Sequence, residues 1–139
     1  EHLFEPARFI AQAARLVKLG GLLILSCPNG EGFDIAELGP ESLAVDAEHV
    51  NLFNPRSLAR LVEKAGFETL ESITPGRLDA ELVRDAVLDG RHTLTSPFLR
   101  RVLLDEWDRL GWPFQQFLAG HGLSSHMWLV ARRTRKDND

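Results

Sequence analysis

Apolar residues recur at helical spacing near the start of the chain. They follow the spacing i, i+1, i+4, i+7 and i+8 and are Phe9, Ile10, Ala13, Leu16 and Val17. This spacing places them on one stripe of a helix, which predicts packing against a core through that face. Pro6 suits the first turn of such a helix, and Gly20-Gly21 can end it, because glycine readily adopts the left-handed conformation.

Two short runs are almost continuously apolar, at 22–27 and 127–131. Continuous apolarity, rather than alternation, is typical of a strand that is buried on both faces. The stretch 67–74 includes charged residues and predicts a bulged edge strand. We therefore expect three strands, at 22–27, 67–74 and 125–132, with the last between the other two. The first strand then has an edge that this chain leaves unpaired, and we expect a partner for that edge.

The stretch 29–54 is polar and has only weak periodicity. A connection this long is usually a lid, a binding loop or a disordered segment. Asn54-Pro55 then supplies a cap and a first-turn proline for a helix that Gly66 closes. We expect a solvated lid rather than a metal site, although the loop is acidic at Asp34, Glu37, Glu41, Asp46 and Glu48.

Helical patterns fill residues 79–119, before the last strand. Asp79 is expected to cap the first helix, and Ser96-Pro97 to begin a second. Gly111 is expected to break that second helix, after which Pro113 restarts a short one. We therefore predict a helical insertion at about 79–119.

The composition is that of an ordinary globular domain, with 44% hydrophobic and 26% charged residues in a chain of 139. We expect one domain over 1–139 with a disordered tail at 133–139. The net charge of −4 argues against a nucleic-acid surface. No apolar run approaches the ~20 residues of a membrane span, and no signal peptide is visible, so we expect no membrane contact and a cytoplasmic protein. The single cysteine, Cys27, excludes an internal disulfide.

Two segments resemble class I S-adenosylmethionine (SAM)-dependent methyltransferases. One begins with EHL-x-x-P at residues 1–6 and continues with RLVKLGGLLILSCPN at 15–29. The other begins with EHVNLF at 48–53 and runs on to Gly66-Phe67. The resemblance covers residues 1–80 and the last strand. It is nearest to the branch that includes quinone-type (ubiquinone-like) and sugar-modifying O-methyltransferases.

The resemblance implies an α/β, partial Rossmann-like fold. Its three-stranded mixed sheet has the order 5-7-6 in the family's strand numbering, with flanking helices. It further implies that the family's strand 4 pairs with the open edge, so that this chain is the C-terminal half and the N-terminal half is missing. The family holds SAM on a glycine-rich loop and an acidic residue that lie in the N-terminal half, and Gly30-x-Gly32 follows the wrong strand to replace them. We expect SAM to bind the full-length protein and not this fragment, which we expect to be inactive.

Four residues are candidates for the chemistry. His49 is a candidate general base, because a neutral imidazole can take a proton from an acceptor hydroxyl; the alternative is a structural histidine where the loop re-enters the fold. His2 resembles the family's histidine near the methyl donor. Asn29 could hydrogen-bond a substrate or only cap its turn, and Trp107 could line a substrate wall or pack in the core. We predict no metal site.

Three functional hypotheses follow. The parent protein transfers a methyl group from SAM to the hydroxyl or amine of a small molecule. Alternatively, the chain is a non-enzymatic binding or assembly module derived from a methyltransferase. A third expectation concerns this chain alone, whose exposed strand edge could pair with a second copy to give a homodimer.

Overall fold

Three strands form one sheet in the order β1-β3-β2 in this computed structural model, which describes residues 1–134. The strands are β1 (Leu22–Pro28), β2 (Phe67–Ile73) and β3 (His126–Arg133). β3 pairs with each neighbour in an antiparallel ladder, so β1 and β2 run in the same direction on either side of it. The central place predicted for the last strand is confirmed. The sheet was expected to be mixed, but both of its ladders are antiparallel because β3 runs against both neighbours.

The described part of the chain also contains six α-helices. They are α1 (Pro6–Leu16), α2 (Phe33–Leu38), α3 (Pro55–Lys64), α4 (Asp79–Leu88), α5 (Pro97–Arg100) and α6 (Trp107–Gly120). A 3-10 turn at Gly39–Glu41 follows α2, and a π-helical turn at Arg101–Asp105 joins α5 to α6. None of these helices is long and apolar enough to cross a membrane.

The described residues bury two apolar clusters. In the first, α1 and α3 pack on one face of the sheet, where Met127, Leu129 and Ala131 of β3 are fully buried. In the second, α4, the π-helical turn and α2 pack around Val83 and Leu103, away from the sheet. The helices between β2 and β3 thus form a layer of their own.

The opposite face of the sheet is uncovered. Leu22 and Ile24 of β1 are 54% and 60% exposed, and Trp128 of β3 is 47% exposed. The prediction that both apolar strands are buried on both faces is therefore wrong for the described residues. Side chains alternate across a strand, and only one side of this sheet meets helices. β1 also keeps one edge without a strand partner among the described residues, as expected.

Local signals at α3 and β2 are confirmed. Asn54 Oδ1 accepts a hydrogen bond from Ser57 N (2.7 Å), and Ser57 Oγ accepts one from Asn54 N (2.9 Å), which completes a capping box. β2 lies at the edge of the sheet, and its register shifts between Thr69 and Glu71. The predicted edge strand therefore carries the predicted bulge.

Three local predictions are wrong. Gly111 does not break a helix, because α6 runs through both it and Pro113. A Cβ at Gly111 would lie 2.5 Å from the ring of Trp107, so the glycine is needed there for packing. Asp79 is not the N-cap of α4, a position held by Leu78, and its carboxylate instead bonds to other segments. The stretch 29–54 is not a solvated lid throughout, since α2 forms in it and Asp34 is 2% exposed.

The last strand extends one residue further than predicted. Arg133 was expected to begin a disordered tail, but it ends β3 and is buried. Its guanidinium group donates a hydrogen bond to the carbonyl of Ala65 and lies 5.4 Å from the ring centre of Phe67. Residues 135–139 of the expected tail lie outside the described residues.

Candidate functional site

Two histidines from distant parts of the sequence meet near the end of β1. The ring centres of His2 and His49 lie 4.7 Å apart, with an angle of 36° between the planes. His2 lies ahead of α1, and His49 lies in the segment that leads into α3. The structure thus brings together the candidate base and the candidate cofactor-binding histidine.

Hydrogen bonds tie the first residues of the chain to the segment around His49. His2 Nδ1 lies 3.0 Å from the carbonyl oxygen of Glu48. Asn51 donates from its backbone nitrogen to Glu1 O (3.0 Å) and from its side chain to Leu3 O (2.6 Å). Sequence reasoning missed the role of Asn51, because nothing local indicates that its amide meets residues almost fifty positions earlier.

Asp46 organises the turn that carries His49. Its Oδ1 accepts hydrogen bonds from the backbone nitrogens of Glu48 (2.8 Å) and His49 (3.0 Å). These bonds, first that of His49 and then that of Glu48, hold the pKa of the Asp46 carboxyl below its usual value. The same oxygen lies 3.0 Å from Nδ1 of the His49 ring, and only 17% of that side chain is exposed. The turn therefore fixes the position of a largely buried imidazole beside a carboxylate.

An apolar cavity of about 350 Å³ lies beside His2, at the end of β1. Its wall includes Phe9, Leu25, Cys27, Phe53 and Leu61. Burial raises the pKa of the Cys27 thiol to about 11, with a further contribution from the Glu1 carboxylate. The thiol is therefore protonated at neutral pH and contributes apolar wall rather than a nucleophile.

Asn29 is fully buried directly after β1. Its side-chain nitrogen donates to the carbonyls of Gly122 (3.1 Å) and Ser124 (2.8 Å), and its Oδ1 accepts from the backbone nitrogen of Glu31 (3.1 Å). The side chain thus joins the loop after β1 to the segment that enters β3. In this arrangement Asn29 turns no polar atom toward solvent, and its role in binding a substrate stays a prediction.

A buried polar network lies deeper in the same region. Asp79 accepts hydrogen bonds from the hydroxyls of Ser124 and Ser125, from the backbone nitrogen of Ser125 and from the side chain of Gln115. The hydroxyl of Ser125 also contacts Asp34, so its single proton is available to either carboxylate, and Asp34 accepts a separate hydrogen bond from Ser42 Oγ (2.8 Å). Burial raises the pKa of Asp79, but the four donors outweigh it, so that the pKa lies below its usual value. The network attaches the helical layer to the sheet.

Trp107 lies in a different place from the histidines. It contributes to a cavity of about 370 Å³ in the helical layer together with Arg77, Trp112 and Gln115. The guanidinium carbon of Arg84 lies 5.0 Å from the centre of its ring. Trp107 also packs against the second cluster, and neither His2 nor His49 lines its cavity. The structure therefore does not bring Trp107 to the histidine pair.

The two glycines after β1 serve packing within the chain. A Cβ at Gly32 would lie 2.4 Å from Ser125 Cα, and a Cβ at Gly30 would lie 3.0 Å from Leu52 Cβ. At both glycines, other atoms of the chain occupy the space that a glycine-rich loop would leave for its cofactor. Gly30-x-Gly32 therefore does not form such a loop.

Comparison with known proteins gives consistent matches. A family model described as "Methyltransferase domain" matches residues 1–72. The chain is 30% identical over 73 residues to a protein of Mycolicibacterium smegmatis described as a probable S-adenosylmethionine-dependent methyltransferase, covering 52% of this chain and 27% of that protein. A protein of Mycobacterium tuberculosis with the same description is 32% identical over 92 residues, covering 66% of this chain and 31% of that protein.

The chain therefore spans about three tenths of the length of these curated relatives. Among solved structures, a Galdieria sulphuraria protein described as a sarcosine dimethylglycine methyltransferase aligns with a TM-score of 0.44 at 15% identity. That alignment covers 96% of this chain and 49% of the other.

Proposed function

This chain belongs to the methyltransferase-domain family, and from that premise we propose that it forms the acceptor-binding part of a SAM-dependent methyltransferase. The acceptor is the hydroxyl or amine of a small molecule, and His49 is the general base. The relatives named above carry methyltransferase descriptions. The non-enzymatic module considered from the sequence has no comparable support.

The observation that carries the proposal is the histidine pair next to an apolar cavity. The side chain of His49 is largely buried, and its ring centre lies 4.7 Å from that of His2, which lines the cavity. A cavity of about 350 Å³ is within the range of small-molecule sites, which are mostly apolar with a few polar groups. An acceptor held there by its ring would present its hydroxyl to the imidazoles.

The residues of this chain supply acceptor binding and proton removal. A neutral imidazole of His49 takes the proton from the acceptor hydroxyl, and the oxygen then forms its bond to the methyl carbon. SAM, when bound, supplies that methyl group from its sulfonium and leaves as a neutral thioether. The walls around the acceptor would hold it in one orientation, and such positioning supplies much of the rate of a displacement reaction.

We propose that the site for SAM lies outside the described residues. The space beside the glycines after β1 is occupied by other atoms of the chain. We propose that a preceding N-terminal half provides the donor site, pairs with the free edge of β1 and covers the exposed sheet face. His2 then lies between the two halves, which is consistent with a contact to the donor.

The cavity lining favours one class of acceptor. Its wall is dominated by aliphatic and aromatic side chains, with His2 among its few polar groups. Such a surface favours an aromatic ring, because it removes the apolar area of the ring from water. It offers few hydrogen bonds to replace those that a sugar makes with water. We therefore propose a phenolic, quinone-type acceptor in preference to a sugar.

Methyl transfer by the whole protein tests this proposal. The assay follows transfer from labelled SAM to a panel of phenols, amines and sugars. His49→Ala is expected to lower kcat/KM for the preferred acceptor by about 10²–10⁴-fold, the usual contribution of a general base. SAM affinity is expected to be unchanged, because the donor site lies elsewhere.

His92→Ala is the matched control. His92 Nε2 lies 3.2 Å from Glu37 Oε1, so this histidine also sits beside a carboxylate, but it lies near the helical layer. The control variant is expected to keep full activity. Full activity of the His49 variant, or equal losses in both variants, would contradict the assignment of His49 as the base.

A further inference from the structure

We propose that Glu1, His2 and His49 form a site for a first-row divalent cation, for which Zn²⁺ is the probe of choice. The site shares His49 with the proposed reaction but does not depend on it. This proposal revises the sequence-based prediction that the chain has no metal site.

The three side chains already converge. One ligand atom from each, a carboxylate oxygen and two ring nitrogens, lies within 4.8 Å of the other two. Ligands held 2.0–2.2 Å from Zn²⁺ stand roughly 3–3.6 Å apart in a tetrahedral site. Small side-chain rotations would therefore close the set around an ion without moving the backbone.

The hydrogen bond that His2 makes through Nδ1 leaves its Nε2 free to bind a cation. The carbonyl oxygen of Glu48 can only accept, so Nδ1 of His2 must carry the proton in their 3.0 Å contact. The neutral ring then has its lone pair on Nε2, which lies 3.5 Å from Glu1 Oε1. A carbonyl that orients an imidazole through its second nitrogen is the usual support for a metal-ligating histidine.

His49 contributes the second, independent observation. Its Nδ1 is buried and has no hydrogen-bond partner of acceptable angle among the described residues. Asp46 Oδ1 lies 3.0 Å away, which is ion-pair distance, but its direction is not that of a hydrogen bond. A buried polar atom without a partner is unfavourable, and coordination of a cation by the lone pair of Nδ1 would satisfy it. The carboxylate of Asp46 would add favourable charge beside the ion.

The donor set indicates which cation fits. Two imidazoles and one carboxylate suit Zn²⁺, Fe²⁺ or Mn²⁺, whereas Mg²⁺ and Ca²⁺ prefer oxygen ligands throughout. Three protein ligands leave at least one coordination position open for water or an acceptor oxygen. A hydroxyl bound there would lose its proton more readily. The ion would then activate the acceptor in place of His49, which is the proposed base in the metal-free protein.

Calorimetric titration of the chain with Zn²⁺ tests the site directly. The expected result is one ion per chain, with binding of Mg²⁺ at least about tenfold weaker. His49→Ala and Glu1→Gln should each weaken Zn²⁺ binding at least about tenfold, since each removes a ligand. His92→Ala should leave it unchanged. Circular dichroism of each variant without metal identifies any that fail to fold, and Glu1→Gln carries the test if His49→Ala is one of them.

Two results would overturn the proposal. The first is the absence of Zn²⁺ binding at protein concentrations of tens of micromolar. The second is undiminished Zn²⁺ binding by a folded His49→Ala variant, which would show that His49 is not a ligand. Neither result bears on whether His49 acts as a base in methyl transfer, since that is measured on the whole protein without added metal.

Discussion

At the scale of single residues, Asp79 is a buried carboxylate that accepts hydrogen bonds from two other segments of the chain. It is 2% exposed and accepts hydrogen bonds from α6 and from the entry to β3. A buried carboxylate is stable only when its oxygens are fully hydrogen-bonded. Asp79 therefore connects the helical layer to the sheet through donors rather than through apolar contact.

Asp79→Asn should destabilise the chain by about 1–3 kcal/mol at pH 7, because the amide places a donor where serine and glutamine donors already point. The pKa of Asp79 is lowered by folding, so its contribution is present above the unfolded carboxyl pKa of about 4 and is lost as the pH falls through the lower folded value. Urea unfolding at pH 7 and at pH 3 should show a smaller acid loss in the variant than in the wild type.

Asp89→Asn is the matched control for that experiment. Asp89 is exposed and pairs with Arg91 at 3.2 Å, so its replacement should change stability by less than about 0.5 kcal/mol. Equal acid sensitivity of the wild type and Asp79→Asn would show that the network does not hold Asp79 ionised.

At the scale of elements, α6 shows how packing overrides local preference. Its two glycines differ in their surroundings. A Cβ at Gly111, inside the helix, would meet the Trp107 ring at 2.5 Å, whereas a Cβ at Gly120, the last residue of the helix, would meet nothing within 4 Å. Helix propensity alone predicts that alanine stabilises both positions by up to about 1 kcal/mol. The structure instead predicts that alanine lowers the free energy of unfolding at Gly111 and does not lower it at Gly120.

Gly111→Ala should destabilise the chain by about 1–3 kcal/mol, because the ring of Trp107 must move from its place against the second cluster. Gly120→Ala should be neutral or stabilising by up to about 1 kcal/mol. Thermal unfolding of both variants, with the near-ultraviolet signal of tryptophan as a second readout, measures the contrast. A stabilising Gly111→Ala would mean that Trp107 does not pack over this helix turn.

The same contrast explains which elements the sequence could predict. α3 begins where predicted because its capping box is formed by residues three apart. The order of the strands followed from their relative apolarity. The continuity of α6 and the presence of α2 were missed. In α6 the preferences of Gly111 and Pro113 suggested a break, although the ring of Trp107, one turn earlier, packs over Gly111. In α2 the bond between Asp34 and Ser125 joins residues 91 positions apart, which no local pattern reveals. His2 was identified by resemblance and His49 as a candidate base, but their meeting involves Asn51, whose bonds to Glu1 and Leu3 no local pattern reveals.

At the scale of the whole molecule, one face of the sheet is covered by helices and the other is exposed. α1 and α3 cover the first, while Leu22, Ile24 and Trp128 leave an apolar surface on the second. An exposed apolar strand edge beside such a surface favours association. We propose that the N-terminal half covers this surface in the whole protein, and that in the isolated chain a second copy pairs with the free edge of β1.

Ile24→Lys distinguishes these two environments. In the isolated chain, where Ile24 is 60% exposed, the substitution should change the free energy of unfolding by less than about 0.5 kcal/mol. It should also reduce any dimer seen in sedimentation, because it places a charge beside the free edge. In the whole protein the lysine would lie beneath the N-terminal half, and a loss of about 1–3 kcal/mol is expected for the buried isoleucine.

Leu88→Lys serves as the control, since Leu88 at the end of α4 is 59% exposed and lies outside the sheet. It should be nearly neutral in both proteins. Acrylamide quenching adds an independent measurement, because Trp128 should be quenched less in the whole protein than in the isolated chain. If Ile24→Lys were as harmless in the whole protein as in the chain, the exposed face would not be the surface on which the rest of the domain is built, and the donor site would have to be joined to β1 through its edge alone.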